Sequence, residues 1–288
     1  MKTPDLLSKQ ALPRVAAIHD ISGFGRCSLT VALPTLSAMG VQACALPTAY
    51  LSAHTAFPRF TFLDMTDDMI KTAGHWKEMD IRFNALYSGF LGSERQIDVV
   101  AEFFGEFKKD GAMIIVDPVM GDDGRAYKTY TPAMCGRMRE LAEKADLITP
   151  NVTEAAMLMG RPFDSAPKRP NDFRDWLWEL SGNGARSVVI TGVKPVECRI
   201  GQVYFDCTTG DYGYIDRDFV GHMFHGTGDL YASVVVGALM HGKPLADSVA
   251  IAAQFVHDCC ELSFADGTPP AEGVRFESLL WRLMAELK

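Results

Sequence analysis

Residues His225 to Gly242 read HGTGDLYASVVVGALMHG, which places one carboxylate, Asp229, just inside a helix whose first turn is nearly bare backbone. Gly226, Thr227 and Gly228 carry little side-chain bulk, so their N–H groups can point at an anion that the helix dipole also favours. A carboxylate beside that anion can accept a proton from a substrate alcohol while the backbone donors stabilise charge on a transferred phosphoryl group. The chemistry this spacing suggests is phosphoryl transfer to a small molecule. The same residues also suit a plain Gly-rich turn with Asp229 as a helix-start residue, so other segments must decide.

Further oxygen ligands stand where apolar runs end. IIVDPVMGDDG carries Asp117 at a strand end and Asp122 five residues later, with Gly121 and Gly124 keeping the loop pliable. Two carboxylates near polyphosphate suit magnesium, which prefers oxygen ligands and keeps several waters; Asp117-Pro118 is also ordinary turn chemistry. In ITPNVTEAAMLMG, Pro150 forces a break before a helix starting near Asn151, and Asn151 and Glu154 share one face of its first turn. That pair reads as a capping box, which does not exclude ligand handling. The first apolar run leads into HDISGFGRCSLT, where Gly23 and Gly25 begin a dinucleotide-like fingerprint. The third glycine position is Ser28 and no acidic residue ends the second strand, so hydride transfer is a poor match. The loop better suits close backbone approach to a small substrate, with Asp20 or Ser22 offering hydrogen bonds. Thr48 and His54, in and after the second strand end, and Phe90, after the third, are further candidate contacts; His54 also suits a structural hydrogen-bonding role and Phe90 a core position.

These residues need a frame that brings strand ends together. Short apolar runs, RVAAIH, VQACALP, NALYSG, AMIIVDP, DLITPN and SVVITG, alternate with helical spacing over Cys27 to Met39, Thr66 to Met79, Ser93 to Lys109, Pro132 to Lys144 and Asn171 to Ser181. This is the βαβ alternation of a mostly parallel sheet with helices on both faces. CRIGQVYFD and YGYIDRDFV, with a turn at Thr208 to Asp211, predict an antiparallel hairpin at the sheet edge. The final third predicts helices over Thr227 to Met240, Pro244 to Leu262 and Val274 to Leu287. With no internal repeat or long linker, one α/β domain over 1–288 is expected, with an N-terminal extension at 1–13 and a flap at about 51–62 over the carboxyl edge of the sheet.

Bulk properties narrow the partners. With 288 residues and 48% hydrophobic content the chain can bury a substantial core. A formal charge of −8, with no basic run longer than a pair such as Lys108-Lys109, argues against nucleic-acid binding. Seven cysteines without paired spacing suit free thiols in a reducing cytoplasm. His257, Cys259 and Cys260 lie in an apolar stretch that reads as a packed helix rather than a metal site. No segment approaches the roughly 20 apolar residues of a membrane span, and none reads as an export signal.

Taken in order and separation, DPVMGDDG, ITPNVTEA, VVITG and GTGDLYAS resemble the ribokinase-like superfamily, and its pyridoxal kinase branch most. LPTAYLSAHT and SGFLGS are similar to that branch's Thr-containing strand end with flap and to its Gly-aromatic turn. The resemblance covers roughly residues 14 to 262. It implies ATP-dependent phosphorylation of the 5′-hydroxymethyl group of pyridoxal, pyridoxamine or pyridoxine. It implies that Asp229 is the base and Gly226 to Gly228 the anion hole. Asp122, Asn151 and Glu154 would hold magnesium or its waters near the ATP phosphates, and Asp117 and Thr149 would help seat a monovalent cation such as potassium. Thr191, Gly192 and Thr227 would lie along the nucleotide; Thr48, His54 and Phe90 would surround the pyridine ring, with Asp20 and Ser22 nearby. A homodimer is usual in such a family. The sequence departs from the branch at Asp20, where a Ser is common, at Phe90, where a Tyr is common, and at Ala53, where an amide is frequent. Each departure bears on the choice among vitamers or towards hydroxymethylpyrimidine, whose kinases share the fold and the anion-hole aspartate. A vitamer-binding protein without catalysis is the alternative of a different class.

Overall fold

The computed structural model describes residues 12–109, 111–127 and 130–286, so most of the expected N-terminal extension lies outside the described residues. The central sheet grows from the apolar runs. In order along its width it contains β3 (Gln42–Ala45), β1 (Arg14–Ile18), β6 (Ala85–Ser88), β7 (Met113–Val116), β10 (Leu147–Ile148), β11 (Ser187–Val193), β12 (Arg199–Phe205) and β13 (Tyr212–Asp218). The pairs from β3 to β11 are parallel, and β12 and β13 continue antiparallel as the edge hairpin that the sequence predicts.

Strand alternation splits the core between two faces. Ala16, Ile18, Leu86, Ile114, Val116, Ile148 and Val188 point to one side, where α2 (Thr66–Glu78), α3 (Glu94–Phe107), α4 (Pro132–Ala142), α5 (Val152–Met159) and α6 (Arg174–Leu180) cover them. Val15, Tyr87, Ile115, Leu147 and Val189 point to the other, beneath α1 (Leu29–Ala38), α7 (Thr227–Met240), α8 (Leu245–Ala265) and α9 (Leu280–Glu286). Burial on both faces explains why the strands read as continuous apolar runs rather than as alternating ones.

Helix α7 is buried from Leu230 through Ala238, which accounts for its lack of a polar face. Gly237 lets it approach the end of α1, since a Cβ there would lie 2.3 Å from the Met39 sulfur. The helix that carries Asp229 in its first turn is therefore packed closely against α1 and the sheet.

Short elements outside the main sheet were not legible as such. β2 (Ile21–Ser22), β4 (Ala49–Leu51) and β5 (Phe62–Asp64) form a small sheet in which Leu51 pairs with Phe62, so 52–61 connects an antiparallel pair. β8 (Gly121–Asp122) and β9 (Arg125–Ala126) make a two-stranded ribbon after β7.

The helix expected from Asn171 begins as a 3-10 turn and becomes α-helical at Arg174, and α8 runs to Ala265 rather than Leu262, but the largest difference from expectation is at the C-terminus. The last helix begins at Leu280 rather than near Val274, because the preceding residues follow another path. The Val274 N–H donates to the His225 carbonyl at 3.2 Å, and Val274 and Phe276 are buried there. Among the described residues no helix is long and apolar enough to cross a membrane.

Candidate functional site at the carboxyl rim

Parallel strands present all their carboxyl ends on one edge, and hydrogen bonds extend the ladder past the strands into the residues that carry polar groups. The Asp117 N–H donates to the Ser88 carbonyl at 2.8 Å, the Thr149 N–H to Val116 at 3.1 Å and the Thr191 N–H to Pro150 at 2.9 Å. Asp117, Thr149, Asn151 and Thr191 thus occupy adjacent stations along the rim, with Asn151 and Thr191 in a parallel bridge.

The N-terminus of α7 meets this rim. Gly226 caps the helix at φ 75°, in the left-handed region, and no side chain caps the first turn. Gly226 also passes so close to the loop after β2 that an added Cβ would lie 1.9 Å from the Arg26 carbonyl oxygen. A side chain is excluded on both counts. Gly228 is exposed, with open space where a Cβ would stand. The Thr227 hydroxyl turns back to the Phe224 carbonyl at 3.1 Å. The first-turn N–H groups, without a side-chain cap, form an anion-ready terminus beside Asp229.

Asp229 keeps part of its surface open, yet burial of its carboxyl pushes it up to about 7, opposed by the Ser28 backbone N–H and assisted by the charge of Asp20. The acids influence one another along the rim. Burial raises Asp117, with the Asp229 charge adding to it and the Thr149 hydroxyl, 3.1 Å away, opposing. Glu154 is raised by burial first and by Asp117 next, and Asp122 contributes as well. Such mutual effects reflect the proximity of the GTGD, DPVMGD and TPNVTE segments along one rim.

Asn151 and Glu154 form the reciprocal capping box: the Asn151 side chain accepts from the Glu154 N–H at 2.9 Å, and Glu154 accepts from the Asn151 N–H at 2.8 Å. Glu154 also accepts from the Met120 N–H at 3.1 Å, and the Asn151 amide donates to the Gly121 carbonyl at 2.8 Å. The cap therefore ties α5 to the loop carrying Asp122. Asp122 is exposed on that ribbon, with the Lys194 charge near it. Gly192, at φ 75°, makes the irregularity that lets β11 turn away with open space in front of it.

Among the described residues no group of three or more His, Cys, Asp or Glu is arranged to hold a metal ion. The donors present are all oxygen and are distributed rather than clustered, which fits an ion held mainly by substrate phosphates and water rather than a protein cage.

The flap side is built differently. Asp20 is buried, and its two carboxylate oxygens accept from the Ser28 and Ser22 hydroxyls at 2.5 and 3.1 Å. The Thr48 hydroxyl, fully buried, donates to the Phe90 carbonyl at 3.0 Å. The Phe90 ring lies in the core, edge-on to Tyr130. His54 has Nε2 at 2.7 Å from the Ala271 carbonyl, so that nitrogen carries the proton, and Nδ1 accepts from the Ala56 N–H at 3.3 Å. Its ring covers Gly25, where a Cβ would lie 2.2 Å from the imidazole.

A profile of the phosphomethylpyrimidine kinase family matches residues 30–271. The chain belongs to that family. A Bacteroides thetaiotaomicron protein provisionally assigned as a phosphomethylpyrimidine kinase, solved with pyridoxal, is 39% identical, covers 95% of this chain and 96% of its own, and superposes with a TM-score of 0.90. Pyridoxal kinase from Lactobacillus plantarum is 30% identical over 96% of this chain and 98% of its own, with a TM-score of 0.87. The pyridoxine/pyridoxal/pyridoxamine kinase of Bordetella avium is 27% identical over 84% of this chain and 82% of its own. The fold is that of the ribokinase-like superfamily, as the sequence motifs imply.

Within this family member the structure adds residues that sequence reasoning did not single out. Tyr127, half-buried after the β8–β9 ribbon, has its hydroxyl pKa raised by burial first and then by the charges of Glu154, Asp122, Asp229 and Asp117. No periodic pattern marks it, because it lies in a loop. Lys194, three residues beyond Thr191, supplies a cation beside Asp122. Ser28, noted in the sequence only as a missing glycine, donates its hydroxyl to Asp20, and its backbone N–H opposes the rise in the Asp229 pKa.

Proposed function

We propose that this protein transfers the γ-phosphoryl group of ATP to the 5′-hydroxymethyl oxygen of pyridoxal, pyridoxamine or pyridoxine. The observation that carries this reading is the meeting of a side-chain-uncapped helix N-terminus with a carboxylate poised near neutrality, on the rim that also holds Asp117 and Glu154. The pyridoxal-bound relative and the named pyridoxal kinases support the vitamer as acceptor.

In this mechanism Asp229 accepts the hydroxyl proton as the new oxygen–phosphorus bond forms and the bond to the β-phosphate oxygen breaks. The N–H groups of Gly226, Thr227 and Gly228 donate to the phosphoryl oxygens as negative charge shifts across them. Thr191, Gly192 and Asn151, with Lys194 nearby, border the path of the nucleotide. Asp122 and Glu154 would hold magnesium through water, Asp117 and Thr149 would help seat a potassium ion, and magnesium would offset charge on the phosphates. Asp20, Ser22, Thr48, His54 and Phe90 shape the vitamer side.

The family's name supports the second reading, phosphorylation of hydroxymethylpyrimidine on the same site. A coupled ADP-release assay across the three vitamers and hydroxymethylpyrimidine decides between them by kcat/KM ratios. Calorimetric vitamer binding without ATP consumption, with magnesium and potassium supplied, would instead identify a vitamer-binding protein. Assembly as a homodimer through the flap sheet is part of the proposal, supported by exposed Phe24, Tyr50, Phe62 and Leu63; a monomeric mass by light scattering would remove it. The seven free thiols support a cytoplasmic setting, which fractionation of the host cell would check.

A further inference from the structure

We propose that Asp20 is a positioning residue for the base: by holding the Ser28 hydroxyl it keeps the Ser28 backbone turned so that its N–H faces the Asp229 carboxylate. The proposal rests on the reading of Asp229 as the base and assigns Asp20 a task other than direct recognition of the ring.

Ser28 stands immediately before α1, where a serine ordinarily adopts extended backbone and caps the helix with its side chain. Here it has φ 51° and ψ −134° and makes no side-chain cap bond. That conformation is unfavourable for a residue with a Cβ, so surrounding contacts must impose it. The contact present is the 2.5 Å hydrogen bond from Ser28 Oγ to Asp20 Oδ1. Asp20 is fixed in turn, since Ser22 Oγ donates to Oδ2 at 3.1 Å and the Asp20 carbonyl accepts from the Leu29 N–H at 3.1 Å.

The backbone just before Ser28 is clamped as well. Gly226 and Gly273 both pack on Arg26 so closely that an added Cβ would lie 1.9 and 2.8 Å from its carbonyl oxygen. The Arg26 N–H donates to the Glu272 carbonyl at 3.1 Å. The loop is thereby pressed against the start of α7, one turn from Asp229, and the Ser28 N–H is the backbone donor that opposes burial of that carboxylate. A serine in place of Asp20 would be too short to serve both hydroxyls, which gives the carboxylate a structural reason at this position.

Three full-length variants test this: Asp20→Ala, Ser28→Ala and the double variant. Each single change should lower kcat about 10-fold through misplacement of the base, with vitamer KM held within about twofold. The double variant should fall no further than either single one, because both remove the same link. A readout that does not depend on turnover is the Ser28 amide proton in 15N-labelled protein. It should resonate downfield in the wild type and move upfield in Asp20→Ala and in Asp229→Asn. Additive losses, a raised KM with kcat preserved, or a Ser28 amide that ignores both substitutions would overturn the proposal. If the wild type phosphorylates no vitamer, the kinase reading fails by itself, and the amide resonance still decides whether Asp20 acts through Ser28 on Asp229.

Discussion

The acidic rim and the flap wall beside it use their polar groups in opposite ways. On the rim formed by β7, β10 and α7, carboxylates sit close enough to raise one another's pKa, and the helix terminus has no side-chain cap. On the flap wall the site side chains bond internally, Asp20 to two serines, Thr48 to Phe90 and His54 to Ala271 and Ala56. Mutually raised carboxylates gather where proton transfer needs them, while hydrogen bonds among neutral groups and Asp20 build a wall of fixed shape. The first wall acts through charge and the second through position.

The largest effect should follow from removing the charge at the centre of the acidic wall. Asp229→Asn should cost roughly 10² or more in turnover while ATP and vitamer binding persist by calorimetry. The wild-type kcat/KM should rise with pH through a limb near 7 and level off above it, because only the ionised carboxylate accepts the proton. Near-normal turnover in the variant would erase the distinction between the walls.

Gly226→Ala comes next, since its Cβ would meet the Arg26 carbonyl at 1.9 Å in a left-handed residue. A loss of about 2–3 kcal/mol in urea unfolding is expected, together with most activity. Gly228→Ala has open space and should leave stability within about 1 kcal/mol, so equal effects at the two glycines would refute the packing argument.

On the flap wall, His54→Ala removes the link to Ala271 and should raise vitamer KM by about 10-fold with a smaller change in kcat. A kcat loss as large as that of Asp229→Asn would place His54 in the chemistry instead. Glu154→Gln should raise the magnesium concentration needed for half-maximal rate a few-fold, by weakening an acceptor of charge near the phosphates. A lower melting temperature as its sole effect would leave Glu154 as a helix cap only.

The smallest effect is on stability. Asp229 has a folded-state pKa near 7, above its unfolded value, so its ionisation weakens the fold progressively as pH rises from about 4 and fully above 7. Asp229→Asn should therefore gain on the order of 1–2 kcal/mol at pH 8, discounted for partial solvent access, and lose that gain near pH 4. Thermal melts at the two pH values would check the sign.

Particular residues show how far local pattern reaches. The apolar runs of the parallel sheet and the antiparallel edge hairpin are marked by composition, because burial on two faces or a turn every several residues leaves a periodic trace. The GTGD, DPVMGD and TPNVTE segments are likewise visible as glycine or carboxylate punctuation after such runs. Tyr127 leaves no trace because it lies in a loop, and two of the four acids that act on it, Glu154 and Asp229, are distant in sequence. The residues from Val274 read as helical by spacing, yet they pair with His225, a contact that no window of neighbours contains.

The sequence by itself determined which chemical groups are present and which strand ends carry them, since hydrophobic periodicity and backbone-permissive glycines are local properties. Only the tertiary structure decided that Asp20 faces two serines and that Ser28 turns its backbone towards Asp229. It also decided that Gly226 must be a glycine because Arg26 lies beneath it. Those outcomes depend on atoms brought within a few ångströms by packing α1 and α7 on the same face of the sheet, and distance through space is not written in spacing along the chain.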